Sequence, residues 1–236
     1  MLFRSTREEV EGLLKPMVKS GKEAIGSMGR DTPLAVLSSQ ARPLFDYFSQ
    51  QFAQVTNPPL DAIREKLVTS LNSNLGGCRN LFEECAEHAR VVQLERPVLT
   101  EAEVSMISSL LPSTTLSLVY ETPDQKGALE AALELLCQQA LEAVDSGSRL
   151  LVLSDAAADR CHFPIPSLLA LGAIHHALVE AGKRLSCSLI VDSGEVREVH
   201  HVCLLIGYGA SAVLPRLALR WARHSADECE IGRAHV

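Results

Sequence analysis

The sequence predicts an α/β protein in which parallel βα repeats over residues 115–220 follow a helical and irregular portion over residues 6–114. From Gly127 onward, apolar β-rich runs alternate with turns and segments of helical period. The predicted strands recur at roughly 33–40 residues with one helix between them, which indicates parallel pairing through right-handed crossovers. This spacing fits both a barrel and a doubly wound sheet.

Local patterns predict the elements of the N-terminal portion. In chain order they are a helix over 8–22, a short buried run at 34–37, an amphipathic aromatic helix over 43–52, a surface connection over 75–97, and a helix capped by Thr100 and Glu103. Pro58 and Pro59 end the aromatic helix, because a proline excludes the residue before it from helical geometry.

The βα repeats have clear start and stop signals. The predicted strands cover 115–120, 149–154 and 188–192, and a fourth begins at Ala212. The predicted helices run from a capping box at Thr122–Gln125 to residue 144, from 165 to 180, and from a capping box at Asp192 and Glu195 to residue 206. Gly147 and Gly182 end the first two helices.

Composition narrows the classes of function. The chain has 236 residues, a formal net charge of −7 and no dense cluster of Lys and Arg, which argues against nucleic acid or an anionic membrane as a partner. No apolar run reaches the roughly 18–20 residues of a spanning helix, so we expect a protein of the cytoplasm or the plastid stroma. The seven cysteines have no repeated spacing, which predicts reduced thiols without a zinc or iron–sulfur motif.

Several sequence runs carry a family resemblance. They are GSMGRDTPLAVLS at 26–38, QFAQVTNPPLD at 51–61, PIPSLLA at 164–170 with AIHH at 173–176, and SGEVREVHH at 193–201 with GYGA at 207–210. In these runs the chain resembles the central domain of the glutamate synthase large subunit. The resemblance covers residues 11 to 217, with a weaker match between 76 and 114, and includes none of the family's catalytic residues.

The resemblance implies a barrel-related α/β central domain that links a glutamine amidotransferase domain to an FMN domain and helps to form the ammonia channel between them. It implies no cofactor in this region, and FMN and an iron–sulfur cluster in the full enzyme. The implied partners are the two flanking domains and an electron donor, either ferredoxin or an NAD(P)H-dependent small subunit. The implied reaction converts glutamine, 2-oxoglutarate and reductant to two glutamate.

Thr56 and Asn57 are the candidate channel-lining residues. Their hydroxyl and amide can hydrogen-bond ammonia, yet neither is an acid that would trap it as ammonium. The competing interpretation is that Asn57 belongs to a turn that the two prolines enforce. Two further interpretations of the whole chain are a stand-alone α/β binding or scaffold domain without catalysis and an independent barrel enzyme.

Other candidate sites have structural interpretations that we prefer. Gly26–Asp31 suits a turn or domain interface better than a phosphate loop. His175, His176, His200 and His201 suit core or surface positions better than a zinc site, because adjacent residues on a helix point about 100° apart. Ser154–Asp155 and Asp192–Ser193 follow the carboxyl ends of two predicted strands, where stabilisation of helices and loops is preferred over catalysis.

Both extremities are excluded from the fold prediction. Residues 1–5 and 230–236 look like translated sequencing-adapter sequence, which leaves a central-domain region over 6–229 and suggests a window on a longer polypeptide. After Ala212-Val213 the family continues with Asn-Pro-Tyr-Leu-Ala, whereas this chain has Leu214-Pro215-Arg216-Leu217-Ala218. We assign no function to the arginine-rich stretch over 216–223.

Overall fold

Near-continuous apolar runs form the centre of a parallel sheet in the computed structural model, which describes residues 7–23, 33, 35–39, 42–51, 55, 58–78, 80, 82–121 and 125–229. The strands are β1 (Ser73–Leu75), β2 (Val92–Leu94), β3 (Ser113–Ser117), β4 (Val119–Tyr120), β5 (Leu150–Ser154), β6 (Phe163–Pro164), β7 (Ser188–Ser193) and β8 (Ala212–Pro215). The helices are α1 (Arg7–Glu9), α2 (Lys15–Ser20), α3 (Ala62–Val68), α4 (Glu101–Leu110), α5 (Ala128–Asp145), α6 (Ser167–Glu180), α7 (Val199–Gly207) and α8 (Arg216–Cys229).

The four central strands pair in parallel in the order β3-β5-β7-β8. The order follows the chain, as it does in consecutive units of a βα barrel. Two short antiparallel pairs, β1 with β2 and β4 with β6, accompany this sheet. The predicted α/β class, with parallel strands in the repeats, is therefore confirmed.

Side-chain alternation along the strands creates two cores. One face of the sheet, with Leu151, Leu153 and Val191, packs with side chains of α5, α6 and α7. The opposite face, with Val152 and Ile190, packs with side chains from β1, β2 and α4. Because both faces are covered there, β5, β8 and the middle of β7 are apolar, as buried parallel strands are, whereas β3 is mostly polar.

Several predicted elements form at the expected places. The helix expected over 8–22 is built from α1, a π-helical turn at Val10–Leu14 and α2. The capping box of α4 forms, since the Thr100 hydroxyl accepts from the Glu103 amide and the Glu103 carboxylate accepts from the Thr100 amide. The strands at β5, β7 and β8 and the helix α6 agree with their predictions within two residues.

The first helix of the repeats begins later than predicted. Its N-cap is Gly127, with a positive φ of 84°, so the box at Thr122–Gln125 does not cap α5, and residues 122–124 lie outside the described residues. The strand expected over 115–120 is also divided. Its first part is β3, whereas β4 turns away to pair with β6.

Three predictions for the N-terminal portion are wrong. The buried run at 34–37 is exposed where it is described, with Val36 and Leu37 at 88% and 98% exposure. The aromatic helix over 43–52 is only a 3-10 turn at Leu44–Tyr47, after which Phe48 is extended. The surface connection over 75–97 is mostly exposed where it is described, but the prediction is wrong at its ends, which belong to the β1–β2 hairpin and include the fully buried Leu75.

The hairpin is attached to the sheet through a close backbone approach. Gly77 has a positive φ of 79°, and a Cβ at this position would lie 2.3 Å from the carbonyl oxygen of Ser186. The amide of Cys78 donates to the carbonyl oxygen of Leu185. Glycine is therefore required at residue 77 both by its backbone angle and by the space available.

Among the described residues, no helix combines the length and apolar character that crossing a bilayer requires.

Candidate functional site

Three charged side chains meet where the parallel strands end. Asp155 follows β5, Asp192 lies near the end of β7, and Arg216 follows β8 directly. The guanidinium of Arg216 donates from Nη2 to Oδ1 of Asp155 and from Nη1 to Oδ1 of Asp192. We call this group of three residues the carboxyl-edge clamp.

Neighbouring donors complete the clamp. The Ser154 hydroxyl donates to Oδ2 of Asp192 at 2.6 Å, and the Ser193 hydroxyl donates to Oδ2 of Asp155 at 2.6 Å. The amide of Gly194 donates to both oxygens of Asp155 at 3.1 and 3.0 Å. All four carboxylate oxygens of the clamp therefore accept a hydrogen bond.

Burial decides the electrostatics of this edge. Asp155 and Arg216 are only 1% and 6% exposed. Burial raises the pKa of Asp192, and the hydrogen bond from Ser154 and the charge of Arg216 oppose that rise. A general base needs access to a substrate proton. The carboxylate oxygens of the clamp instead accept hydrogen bonds from the protein itself. The clamp therefore links β5, β7 and β8 structurally.

Stabilisation of helices and loops is the interpretation that the sequence favours for Ser154–Asp155 and Asp192–Ser193, but the structure gives these residues other partners. Asp192 caps no helix and pairs with Arg216 instead. Arg216 itself was missed, since no function was assigned to residues 216–223. The available signal was its position, because a charged residue directly after a buried strand lies at the same edge as Asp155 and Asp192.

Glu195 also serves another helix than the one predicted. The predicted capping box with Asp192 does not form, because α7 begins at Val199. Glu195 Oε1 instead accepts from the amide and hydroxyl of Ser167, at 2.9 and 2.8 Å, at the first turn of α6. Burial raises the pKa of Glu195, although these two hydrogen bonds act in the opposite direction.

The four candidate histidines fall into two different environments. His200 and His201 are buried, at 6% and 4% exposure, beside Phe45. His175 accepts at Nδ1 from Nε of Arg184 at 3.0 Å, and burial together with the Arg184 charge lowers the pKa of His175. His176 is exposed. Among the described residues, no three His, Cys, Asp or Glu side chains are grouped as metal ligands would be.

Two sets of candidate residues lie outside the described residues, so their positions relative to the clamp are not given. Thr56 and Asn57 lie outside the described residues, as do residues 26–31 of the glycine-rich run. Described neighbours flank the channel candidates on both sides. Upstream, Phe45 is fully buried, and downstream Asp61 caps α3 by accepting from the amides of Ile63 and Arg64 at 3.0 and 2.8 Å.

Comparison with known proteins identifies the family. Residues 1–235 match the family model described as the glutamate synthase central domain. The chain is 46% identical over 226 residues to ferredoxin-dependent glutamate synthase 2 of Synechocystis, a match that covers 94% of this chain and 14% of that protein. It is 43% identical over 230 residues to the large chain of the NADPH glutamate synthase of Bacillus subtilis, covering 96% of this chain and 15% of that protein.

A plant relative gives the same result. The ferredoxin-dependent chloroplastic glutamate synthase of Oryza sativa subsp. japonica is 44% identical over 226 residues, covering 94% of this chain and 14% of that protein. The chain thus spans about one seventh of the length of these relatives. With the family model matched along almost all of its length, this chain belongs to the glutamate synthase central domain family.

Proposed function

We propose that this chain is the part of a glutamate synthase large subunit that joins the glutamine amidotransferase domain to the FMN domain. The observation that carries the proposal is the central-domain match over residues 1–235, found within relatives about seven times as long. In the full enzyme, glutamine is hydrolysed to glutamate and ammonia. The ammonia condenses with 2-oxoglutarate, and two electrons reduce the resulting imine to a second glutamate.

The contribution of this region is positional. Ammonia released at one site reaches the second site without dilution only if the two sites are held at a fixed distance and separated from bulk water. The doubly covered parallel sheet and its clamp supply a stiff body of the kind that this task needs. FMN and an iron–sulfur cluster are expected in the full enzyme.

Thr56 and Asn57 are proposed to line the ammonia channel. Their neutral side chains can exchange hydrogen bonds with ammonia without protonating it. Upstream of them, Phe45 is fully buried in the core that contains Leu151 and Val191. Downstream, Pro58 and Pro59 restrict the backbone at two successive residues.

Flanking domains of the same polypeptide are the proposed partners. Apolar side chains that face solvent on α3 support this assignment, since Ile63 and Leu67 are 89% and 79% exposed. The electron donor is ferredoxin or an NAD(P)H-dependent subunit, and relatives of both kinds match this chain. We place the enzyme in the cytoplasm or the plastid stroma, and the name of the rice relative supports the second location.

The channel proposal is tested in a full-length enzyme that carries this region. We expect Thr56→Ala and Asn57→Ala to lower glutamine-dependent glutamate formation about tenfold, with ammonia-dependent formation changed less than about twofold. Thr69→Ala and Asn72→Ala, which change exposed residues of the same types beyond α3, are the matched controls. An unchanged ratio of the two activities in the Thr56 and Asn57 variants would remove the channel role.

Sequencing the surrounding gene tests the domain arrangement separately. An amidotransferase that begins with cysteine upstream and an FMN-binding barrel downstream are expected. A gene without them contradicts the proposed partners and favours a stand-alone domain.

A further inference from the structure

A cavity lies at the amino ends of the parallel strands, on the edge of the sheet opposite to the carboxyl-edge clamp. It is lined there by Pro112 and Arg149, which directly precede β3 and β5. The end of α4 and residues of the β1–β2 hairpin complete its wall. Its volume of about 620 Å³ lies within the range of roughly 300–1,000 Å³ that is usual for pockets that bind small molecules.

Two arginines supply the positive charge of this cavity. Arg149 is half-buried and makes one long hydrogen bond, 3.5 Å from Nη2 to the carbonyl oxygen of Gly77. Arg90 is exposed, and its side chain has no hydrogen bond or ion pair among the described residues. A guanidinium has five N–H donors in a planar fork that matches a carboxylate. Most donors of the two side chains are thus available to an anion.

Backbone contacts hold both arginines in place. The amide of Arg149 donates to the carbonyl oxygen of Pro112 at 2.8 Å, and the amide of Arg90 donates to the carbonyl oxygen of Glu87 at 3.1 Å. A Cβ at Gly76 would lie 3.2 Å from the carbonyl oxygen of Arg90, so the two sides of the hairpin are in close contact there. The backbone of the site is therefore organised before a ligand binds, which lowers the entropic cost of binding.

The rest of the lining is mostly apolar. It consists of Val91, Val92, Leu110, Leu111 and Pro112. Leu110 is 62% exposed, whereas Leu111 is 9% exposed and belongs to the core that contains Val152 and Ile190. The wall therefore rests on a packed layer and presents apolar surface, which the hydrocarbon body of a ligand would remove from water.

Glu87 and α4 limit the charge of a suitable ligand. Glu87 lines the cavity, and its charge offsets that of one arginine. Leu110 and Leu111 lie at the carboxyl end of α4, where the helix dipole is negative. An anion with a single charge fits this balance better than a dianion does.

We propose that this cavity binds a small organic carboxylate: Arg90 and Arg149 bind the carboxylate group, and the apolar wall receives the hydrocarbon body. The lining includes no Ser, Cys or His among the described residues, so we assign binding to the cavity and no chemistry. The inference is independent of the ammonia channel, because no lining residue belongs to the segment that carries Thr56 and Asn57.

The test is a calorimetric titration of the full-length protein that carries this region. The probe is hydrocinnamate, which joins one carboxylate to an apolar ring. Hydrocinnamamide keeps the ring without the charge, and sulfate is a dianion without an apolar body. We expect hydrocinnamate to bind at least about tenfold more tightly than either of them, because only hydrocinnamate uses both the arginines and the apolar wall.

Two variants assign the binding to the cavity. Arg149→Met removes one guanidinium, and Leu110→Asp places a repelling carboxylate at the wall, so each is expected to raise the Kd of hydrocinnamate at least about tenfold. Arg96→Met and Ser109→Asp are the matched controls, since they make the same kinds of change at exposed residues outside the lining. We expect them to change the Kd less than about threefold. If Arg149→Met does not fold, Leu110→Asp at an exposed position decides the test.

Three outcomes overturn the inference. Equal binding of hydrocinnamate and hydrocinnamamide means that the arginines recognise no carboxylate. Sulfate that binds as tightly as hydrocinnamate means that the apolar wall contributes nothing. Hydrocinnamate that does not bind, or that binds Leu110→Asp as tightly as the parent protein, means that the cavity is not the site.

Discussion

At the scale of single residues, the carboxyl-edge clamp shows how charge is used inside this protein. Arg216 supplies one positive charge to two carboxylates on neighbouring strands, the buried Asp155 and the half-buried Asp192. Sequence reasoning found the two aspartates, because each follows an apolar run at a predicted strand end. Its position after a buried strand places Arg216 at the same edge, but its pairing with both aspartates depends on where β8 lies in the sheet.

Replacing Arg216 by methionine is expected to destabilise the chain by about 3–5 kcal/mol, because it leaves the buried Asp155 and the half-buried Asp192 without their counter-ion. Arg220→Met is the matched control. Its partner Glu101 is bound at 2.7 Å on an exposed surface, where an ion pair contributes about 0–1 kcal/mol. Urea unfolding of both variants measures the difference. Loss of less than about 1 kcal/mol in Arg216→Met would contradict the structural role of the clamp.

At the scale of elements, the strands β5, β7 and β8 were predicted within two residues, whereas the starts of α5 and α7 were not. Apolar runs in β5 and β7 are recognisable because both faces of a parallel strand are buried. Helix starts depend on which polar side chain reaches the first turn. Glu195 was predicted to cap a helix near itself and instead binds Ser167 at the start of α6, 28 positions away. A local pattern contains no information about that contact.

The pH dependence of stability follows from the same contact. A carboxyl group whose pKa is raised by folding stabilises the folded chain most below its unfolded-state pKa, and this stability is lost as the pH rises through the folded-state pKa. Burial raises the pKa of Glu195 above its ordinary value of 4.5, so the loss begins near pH 4.5 and continues above it.

We therefore expect Glu195→Gln to gain stability relative to the parent chain as the pH rises from about 4 to 8, by about 1.4 kcal/mol for each tenfold difference in proton affinity between the two states. Glu142→Gln, at an exposed position of α5, should show no such trend. Urea unfolding at a series of pH values measures both differences. A difference between the parent chain and Glu195→Gln that is the same at every pH contradicts the assignment.

At the scale of the whole molecule, the parallel sheet is packed on both faces, and α3 lies outside these two cores with exposed apolar side chains. The two cores contain side chains of α4, α5, α6 and α7, whereas α3 contributes none to either of them among the described residues. A helix as short as Ala62–Val68 is not stable in water by itself. Its exposed Ile63 and Leu67 lie one helical turn apart, which suits docking against another domain.

Charges introduced on this face distinguish a docking surface from a free one. The double variant Ile63→Asp/Leu67→Asp is expected to change the stability of this chain by less than about 0.5 kcal/mol per residue, because both side chains are exposed. In the full-length enzyme the same changes should cost about 2 kcal/mol or more, since each carboxylate would be buried at a domain interface. Lys66→Ser on the same helix is the control, and calorimetry of both proteins is the measurement. Equal effects in both proteins contradict docking through α3.

The sequence by itself determined the βα repeats, the positions of β5, β7 and β8, and the family. Each of these depends on residues close together in the chain, where hydrophobic period, turn residues and motif spacing suffice. Tertiary structure alone decided that Arg216 meets Asp155, 61 positions away, and that Phe45 lies on His201 in a turn where a helix was expected. Such contacts form because burial stabilises side chains that pack together even when they are distant in the chain. A local sequence pattern does not indicate which distant side chains will pack together.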